Sequence, residues 1–197
     1  MLGEFLHLVR EDYAKAASVF DFACKQYKYF KSCNSLGAFQ FEGRGTKRDV
    51  RNALLSFETA CESGSAEGCY HVGQMLLGKD AQLVAEGIQP APAKAMTVLE
   101  KGCDLGLASS CFEAGAAYLG GEKLGVPLQP EKAFKLMQLA CDNFAPHFEA
   151  CNNLMLMHRR GIGTAKDPVA ADQVQEKLDD YLTMLQKKRF MEMQQGT

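Results

Sequence analysis

Eight cysteines fall into four close pairs that recur along the chain. The pairs are Cys24 and Cys33, Cys61 and Cys69, Cys103 and Cys111, and Cys141 and Cys151, with separations of 9, 8, 8 and 10 residues. The first members of successive pairs stand 37, 42 and 38 residues apart. A repeat of this length marks an architecture in which one small unit is stacked on the next. No C-x-x-C occurs, so the spacings of thioredoxin-like redox motifs and of zinc ribbons are both missing.

Aligning the first cysteines brings other positions into register. Eight residues earlier stand Ala16, Ala53, Ala95 and Ala133, and four earlier stand Phe20, Phe57, Leu99 and Met137. The residue just before is small in every unit: Ala23, Ala60, Gly102, Ala140. Steps of four place these residues on one stripe of a helix, which a strand would not do. After the second cysteine, the third position holds Leu36, Val72, Ala114 and Leu154. The fourth holds Gly37, Gly73 and Gly115, with Met155 as the exception. A second helix therefore starts near the second cysteine. Short polar turns such as Glu62–Gly68 join the two helices. Gly43-Arg44-Gly45 and Gly161-Ile162-Gly163 read as helix stops between units, and one insertion, about Lys79 to Pro92, lengthens the second unit.

The pattern predicts an all-α fold: a right-handed α/α solenoid of helical hairpins, forming one domain over residues 1–197. The units fall at about 12–50, 51–92, 93–130 and 131–168. Residues 169–195 lack cysteine but restart the pattern at Ala170-Ala171, and read as a closing cap helix of the kind a solenoid end requires. Residues 1–11, with Leu2, Phe5, Leu6, Leu8 and Val9, read as the second helix of an incomplete earlier unit.

Two helices joined by a tight turn run antiparallel. A cysteine ending one and a cysteine starting the next then lie side by side, compatible with a Cα separation near 5.5 Å. Each bridge would close a ring of roughly ten residues, worth roughly 2.5–3 kcal/mol in the chain-entropy account. Reduced cysteines packed in the core are the plain alternative. A metal site is a second alternative, but histidines do not recur in register with the pairs. Four pairs at matched positions favour the bridges.

Apolar residues make up 47% of the chain, enough to build a sizeable core. The net charge is −2 and the pI about 6.1, which does not suit nucleic acid. No run of 18 apolar residues exists to span a membrane. The start, Met1 to His7, carries Glu4 and no basic segment, so no secretory signal is expected there. No P-loop, Rossmann, G-x-S-x-G, H-E-x-x-H or S-x-x-K pattern appears, and no C-x-x-C-H for covalent haem.

The pattern A-x7-C-x7–9-C-x2-[LVA]-G-x5-G resembles the Sel-1-like repeat in its cysteine-rich form. That form occurs in bacterial secreted cysteine-rich repeat proteins and in the family of the mitochondrial cytochrome c oxidase assembly factor seven. The stretches Cys69-Tyr70-His71-Val72-Gly73, Cys103-Asp104-Leu105-Gly106, Ser109-Ser110-Cys111-Phe112 and Lys135-Leu136-Met137 to Cys141-Asp142 are more similar to the second, over about residues 5–190. The resemblance implies a TPR-like superhelix in the mitochondrial intermembrane space. Such a chain would support assembly of respiratory complex IV by binding assembly factors or subunits, as a monomer and not as an enzyme. It also raises thiol-disulfide exchange, or haem binding, directed at copper-delivery assembly proteins. The resembled family has further cysteines near its N-terminus, whereas this chain begins inside that repeat. Disulfides persist only in oxidising compartments, which agrees with the intermembrane space and also with a secreted repeat protein.

A haem ligand, if there is one, would come from His7, His71, His147 or His158, although solvated polar positions explain each. The residues themselves point to no cofactor and no metal. In a helical-hairpin solenoid the first helices are expected to line the concave face, which offers itself to a protein or peptide. The candidates between the apolar positions of those helices are Lys15, Asp21, Asn52, Thr59, Lys94, Lys101, Lys132 and Gln138, with Lys15, Asn52, Lys94, Lys101 and Lys132 foremost. Lys187-Lys188-Arg189 with Met191 and Met193 reads as a solvated helix end, or as a contact with an anionic membrane. Peptide mapping without reductant is expected to return Cys24–Cys33, Cys61–Cys69, Cys103–Cys111 and Cys141–Cys151. Free thiols or bridges between units would refute this pairing.

Overall fold

The computed structural model describes residues 12–143 and 145–195. The partial unit expected over 1–11, with His7, lies outside the described residues. Four helical hairpins follow one another: α1 (Tyr13–Tyr27) with α2 (Phe30–Glu42), α3 (Val50–Glu62) with α4 (Ala66–Leu76), α6 (Pro92–Asp104) with α7 (Ala108–Gly120), and α8 (Pro130–Asp142) with α9 (Phe148–Arg160). A short helix, α5 (Ala81–Ala85), sits in the insertion, a 3₁₀ turn (Gly121–Leu124) follows α7, and α10 (Pro168–Gln195) closes the stack. Each helix packs mainly on its neighbours in sequence: α2 on α3, α4 on α6, α7 on α8 and α9 on α10. This nearest-neighbour packing is what makes the chain a solenoid.

The first helices of units three and four begin at Pro92 and Pro130, and the closing helix at Pro168. Each start falls one residue before the boundary that cysteine spacing suggests. Proline's fixed φ suits the first helical position, where its missing N–H removes no bond. Ser65 caps α4 by accepting from the Gly68 N–H at 3.0 Å, and Asp49 caps α3 by accepting from the Asn52 N–H at 3.0 Å.

The alignment columns acquire physical meaning in the stack. The −8 alanines Ala16, Ala53, Ala95 and Ala133 are fully buried. The large apolar residue at −4 packs on the glycine of the preceding second helix. A Cβ on Gly37 would lie 2.7 Å from the Phe57 ring, one on Gly73 2.3 Å from Leu99, and one on Gly115 3.0 Å from Met137. Met155 breaks the glycine column at the point where the stack ends. Aligned on the buried Ala171, the matching −4 residue of α10 is the exposed Gln175, so no large apolar residue calls for a glycine notch there, and Met155 is itself buried.

Within the second and third hairpins the helices touch at small residues beside the cysteines. A Cβ on Gly68 would lie 2.8 Å from both Ala60 Cβ and the Cys61 backbone nitrogen. A Cβ on Gly102 would lie 2.4 Å from Ser110 Oγ. The loops after α2 and α9 fold back on the start of their own unit: a Cβ on Gly45 would meet Tyr13 O at 2.2 Å, and one on Gly163 would meet Pro130 O at 2.0 Å. Here close approach and positive φ (67° and 66°) both demand glycine. The insertion is tied down by buried Leu83 and Ile88 and by the Ala91 N–H, which donates to Leu76 O at 2.9 Å.

Gly68→Ala tests the close crossing. In an open helix this change gains up to about 1 kcal/mol in propensity. Here it is expected to cost about 1–3 kcal/mol, because the methyl meets backbone with no room to shift. Thermal unfolding of the variant measures the sign, and a stabilised variant would contradict the crossing.

Candidate interaction surfaces

Four disulfides tie α1 to α2, α3 to α4, α6 to α7 and α8 to α9: Cys24–Cys33, Cys61–Cys69, Cys103–Cys111 and Cys141–Cys151, with Cα separations of 4.7, 4.5, 4.6 and 4.8 Å. These use all eight cysteines of the chain. No cysteine is more than 6% exposed, so the sulfurs are shielded from an incoming thiol.

The candidate partner residues lie along the first helices, and most are engaged within the chain. Lys15 pairs with Asp12 at 2.7 Å, and Asp21 with Lys25 at 2.9 Å. Asn52 Nδ2 donates to Asp49 at 2.8 Å, and Thr59 Oγ1 to Leu55 O at 2.9 Å. The remaining lysines reach across to the preceding unit. Lys94 meets Glu58 at 2.5 Å, Lys101 donates to Cys61 O at 2.7 Å, and Lys132 meets Glu100 at 2.6 Å. Lys177 of the closing helix meets Asp142 at 2.5 Å. Two such rungs link α3 to α6, one links α6 to α8, and one links α8 to α10. Sequence reasoning missed Glu58 and Glu100. Their signal was available, since lysine at −9 (Lys94, Lys132) faces glutamate at −3 of the preceding unit. Phe22, Leu55 and Leu139 stand exposed on the same helices.

The rung between Lys132 and Glu100 has a buried centre. The Tyr118 hydroxyl donates to Glu100 and accepts from Lys132 Nζ at 2.8 Å. Burial and the Glu100 contact push the Tyr118 pKa up, and the Glu100 contact, joined by Tyr118, pushes that of Lys132 up. Tyr118 is therefore a neutral phenol and Lys132 an ammonium at neutral pH.

The described histidines do not converge. His147 Nδ1 accepts from the Ala150 N–H at 3.4 Å at the start of α9, and its ring stacks on Phe112 at 4.3 Å. His158 stands edge-on to Phe134. His71 packs on Phe57 with ring centroids 4.5 Å apart. Of the three, only His71 lines the cleft between α2, α4 and the insertion, and Met75 lines it from one turn further along the same helix. Two ligands one turn apart on one helix cannot flank a haem from opposite faces, so this cleft supplies no axial pair. Among the described residues no cluster of three or more His, Cys, Asp or Glu side chains is placed to hold a metal ion.

That cleft, of about 440 Å³, lies on the second-helix side. Ala38, Phe41 and Glu42 of α2, Phe57 of α3, His71, Gln74 and Met75 of α4, Glu113 of α7, and Lys79, Asp80 and Leu83 of the insertion line it. Lys79 bridges the mouth to Glu113 at 2.8 Å. Burial lowers the His71 pKa, and nearby Glu67 only partly opposes this, so the imidazole is neutral at pH 7.

Comparison with known proteins places these features. The Sel1 repeat model matches residues 31–65, 108–143 and 148–171. The chain is 30% identical over 191 residues to the cytochrome c oxidase assembly factor 7 of Xenopus tropicalis, covering 95% of this chain and 80% of that one. It is 35% identical over 98 residues to the human protein of that name, covering 48% of this chain and 41% of that one. Among solved structures, a Sel1 repeat protein from Oxalobacter formigenes matches with a TM-score of 0.69 and 25% identity, over 86% of this chain and 46% of that chain. A protective antigen of uropathogenic Escherichia coli with an SLR fold matches with a TM-score of 0.72 and 22% identity, over 83% and 32%, and supports the fold alone.

The lowered His71 pKa makes a signed prediction. The unfolded chain binds this proton more readily than the folded chain, so stability is full above the ordinary histidine pKa and falls as pH drops below about 6.5. The loss attributable to one proton is at most about 1.4 kcal/mol per pH unit. His71→Gln is expected to lose less stability than the wild type between neutral and mildly acidic pH. Parallel melting curves at every pH would refute the assignment.

Proposed function

The chain belongs to the cytochrome c oxidase assembly factor 7 family of Sel1 repeat proteins, and on that footing we propose that it is a protein-binding scaffold required for assembly of respiratory complex IV. The observation that carries this reading is a family relationship over nearly the whole chain, on a fold whose output is an extended surface. The proposed compartment is the mitochondrial intermembrane space, where four disulfides can persist. Partners are assembly factors or subunits of the oxidase, and the scaffold works as a monomer. It works by binding and not by catalysis. The buried, fully bridged cysteines support binding over thiol-disulfide exchange.

The proposed contact surface is the first-helix face, where Lys15, Asn52, Lys94, Lys101 and Lys132 stand beside exposed Phe22, Leu55 and Leu139. Lys94 and Lys132 remain 55% and 41% exposed while pairing, so a partner can still read them.

Cells lacking the protein are expected to lose assembled cytochrome c oxidase, and re-expression should restore it. Combined reversal of the exposed Lys15 and Lys94 to glutamate should weaken partner recovery at least about tenfold, that is by about 1.4 kcal/mol. The melting temperature should change little, since exposed ion pairs are worth only about 0.2–1 kcal/mol each. Normal oxidase levels in the deleted cells would overturn the assembly reading. Undiminished recovery with the reversed variant would overturn the choice of surface.

A further inference from the structure

We propose that the cleft between α2, α4 and the insertion is a second binding site on the opposite side of the solenoid, which takes a basic peptide segment through one or two large apolar side chains. The proposal rests on the scaffold reading and adds to it a location and a partner chemistry.

The cleft is built by the insertion in the repeat. Only the second unit carries the insertion, and the insertion supplies Lys79, Asp80 and Leu83 as one wall. That wall is fixed and does not hang free: Leu83 and Ile88 are buried, and Asp80 caps α5 by accepting from the Gln82 N–H at 2.8 Å. The floor is apolar, made of Ala38, Phe41, Phe57, Met75 and Leu83. A volume of about 440 Å³, open to solvent on one side, accepts large side chains and leaves the backbone that carries them outside. The groups at the rim decide the partner's sign. Glu42, Asp80 and Glu113 supply three carboxylates; Arg44 meets Glu42 and Lys79 meets Glu113, each at 2.8 Å, which leaves the rim one net negative charge, that of Asp80. His71, neutral in its packing on Phe57, adds no charge to oppose it. A partner that brings lysine or arginine next to its apolar side chains satisfies both the floor and the rim. An acidic partner meets repulsion.

The test uses the whole chain and three short dye-labelled peptides. One carries leucine and phenylalanine between pairs of lysines. The second replaces the lysines with glutamates. The third keeps the lysines and replaces the two apolar residues with serines. Fluorescence anisotropy should show the first binding at least about tenfold more tightly than either of the others, with the advantage over the acidic peptide shrinking as salt rises. Gln74→Trp at the exposed rim and Glu113→Gln should each weaken the first peptide by several-fold, with the melting temperature as the check on folding. The His71 ring-proton resonance should move as the first peptide is added. Equal binding of all three peptides would overturn the proposal. So would resonance changes confined to the first helices, or full affinity in both folded variants. These outcomes leave the scaffold reading standing, because that reading is tested by oxidase assembly. Loss of the scaffold reading with specific cleft binding intact would leave a peptide site serving another process.

Discussion

The fold depends on a covalent crossbar set where two helices come closest. In the second and third hairpins the disulfide stands one residue from a small–small contact, Ala60 with Gly68 and Gly102 with Ser110. Small residues bring the backbones within 4.5–4.8 Å at the cysteine Cα atoms, and the bridge holds them there. Neither feature works alone. A larger side chain at the crossing would move the cysteines apart, and without the bridge a hairpin of helices 11 to 15 residues long has little surface of its own to bury. The bridge makes each unit a preformed block, and the blocks then need only to stack.

Stacking is done by shape and trimmed by charge. Phe57, Leu99 and Met137 fill the notches over Gly37, Gly73 and Gly115, which supplies the buried apolar contact between units. The lysine rungs from Lys94, Lys101, Lys132 and Lys177 add little individually, as exposed ion pairs do. Their regular placement fixes which face of each unit meets the next. The same rungs line the first-helix surface with charge, so the surface proposed for partners is also the one that aligns the stack. The cleft on the other side arises where an insertion interrupts this regularity.

Much of this was legible in the sequence because repetition multiplies a weak signal. A single alanine or glycine says little; four alanines at −8 and three glycines after the second cysteine define the stripe, the notch and the phase of the helices. The disulfide pairing followed from the same spacing. What stayed hidden depends on contacts between units. Glu58 and Glu100 matter only because a lysine of the next unit reaches them, and the alignment shows columns, not the offset between neighbouring blocks. The cleft was hidden for another reason. Leu83 and Asp80 lie in an insertion with no repeat partner to compare, and their meeting with Phe41 and Glu113 is set by how the insertion folds back. Met155 looked like a lapse in the pattern and marks the last interface.

The measurement that bears most directly on the crossbar is unfolding of a chain in which one central bridge is removed cleanly, as in Cys103→Ala with Cys111→Ala. Hydrogen exchange should be followed unit by unit alongside the melting curve. The account predicts a loss of about 2–5 kcal/mol, with faster exchange in α6 and α7 that spreads to the flanking α4 and α8 because each unit leans on its neighbours. An unchanged melting curve, or faster exchange that stays within the turn between α6 and α7, would contradict it.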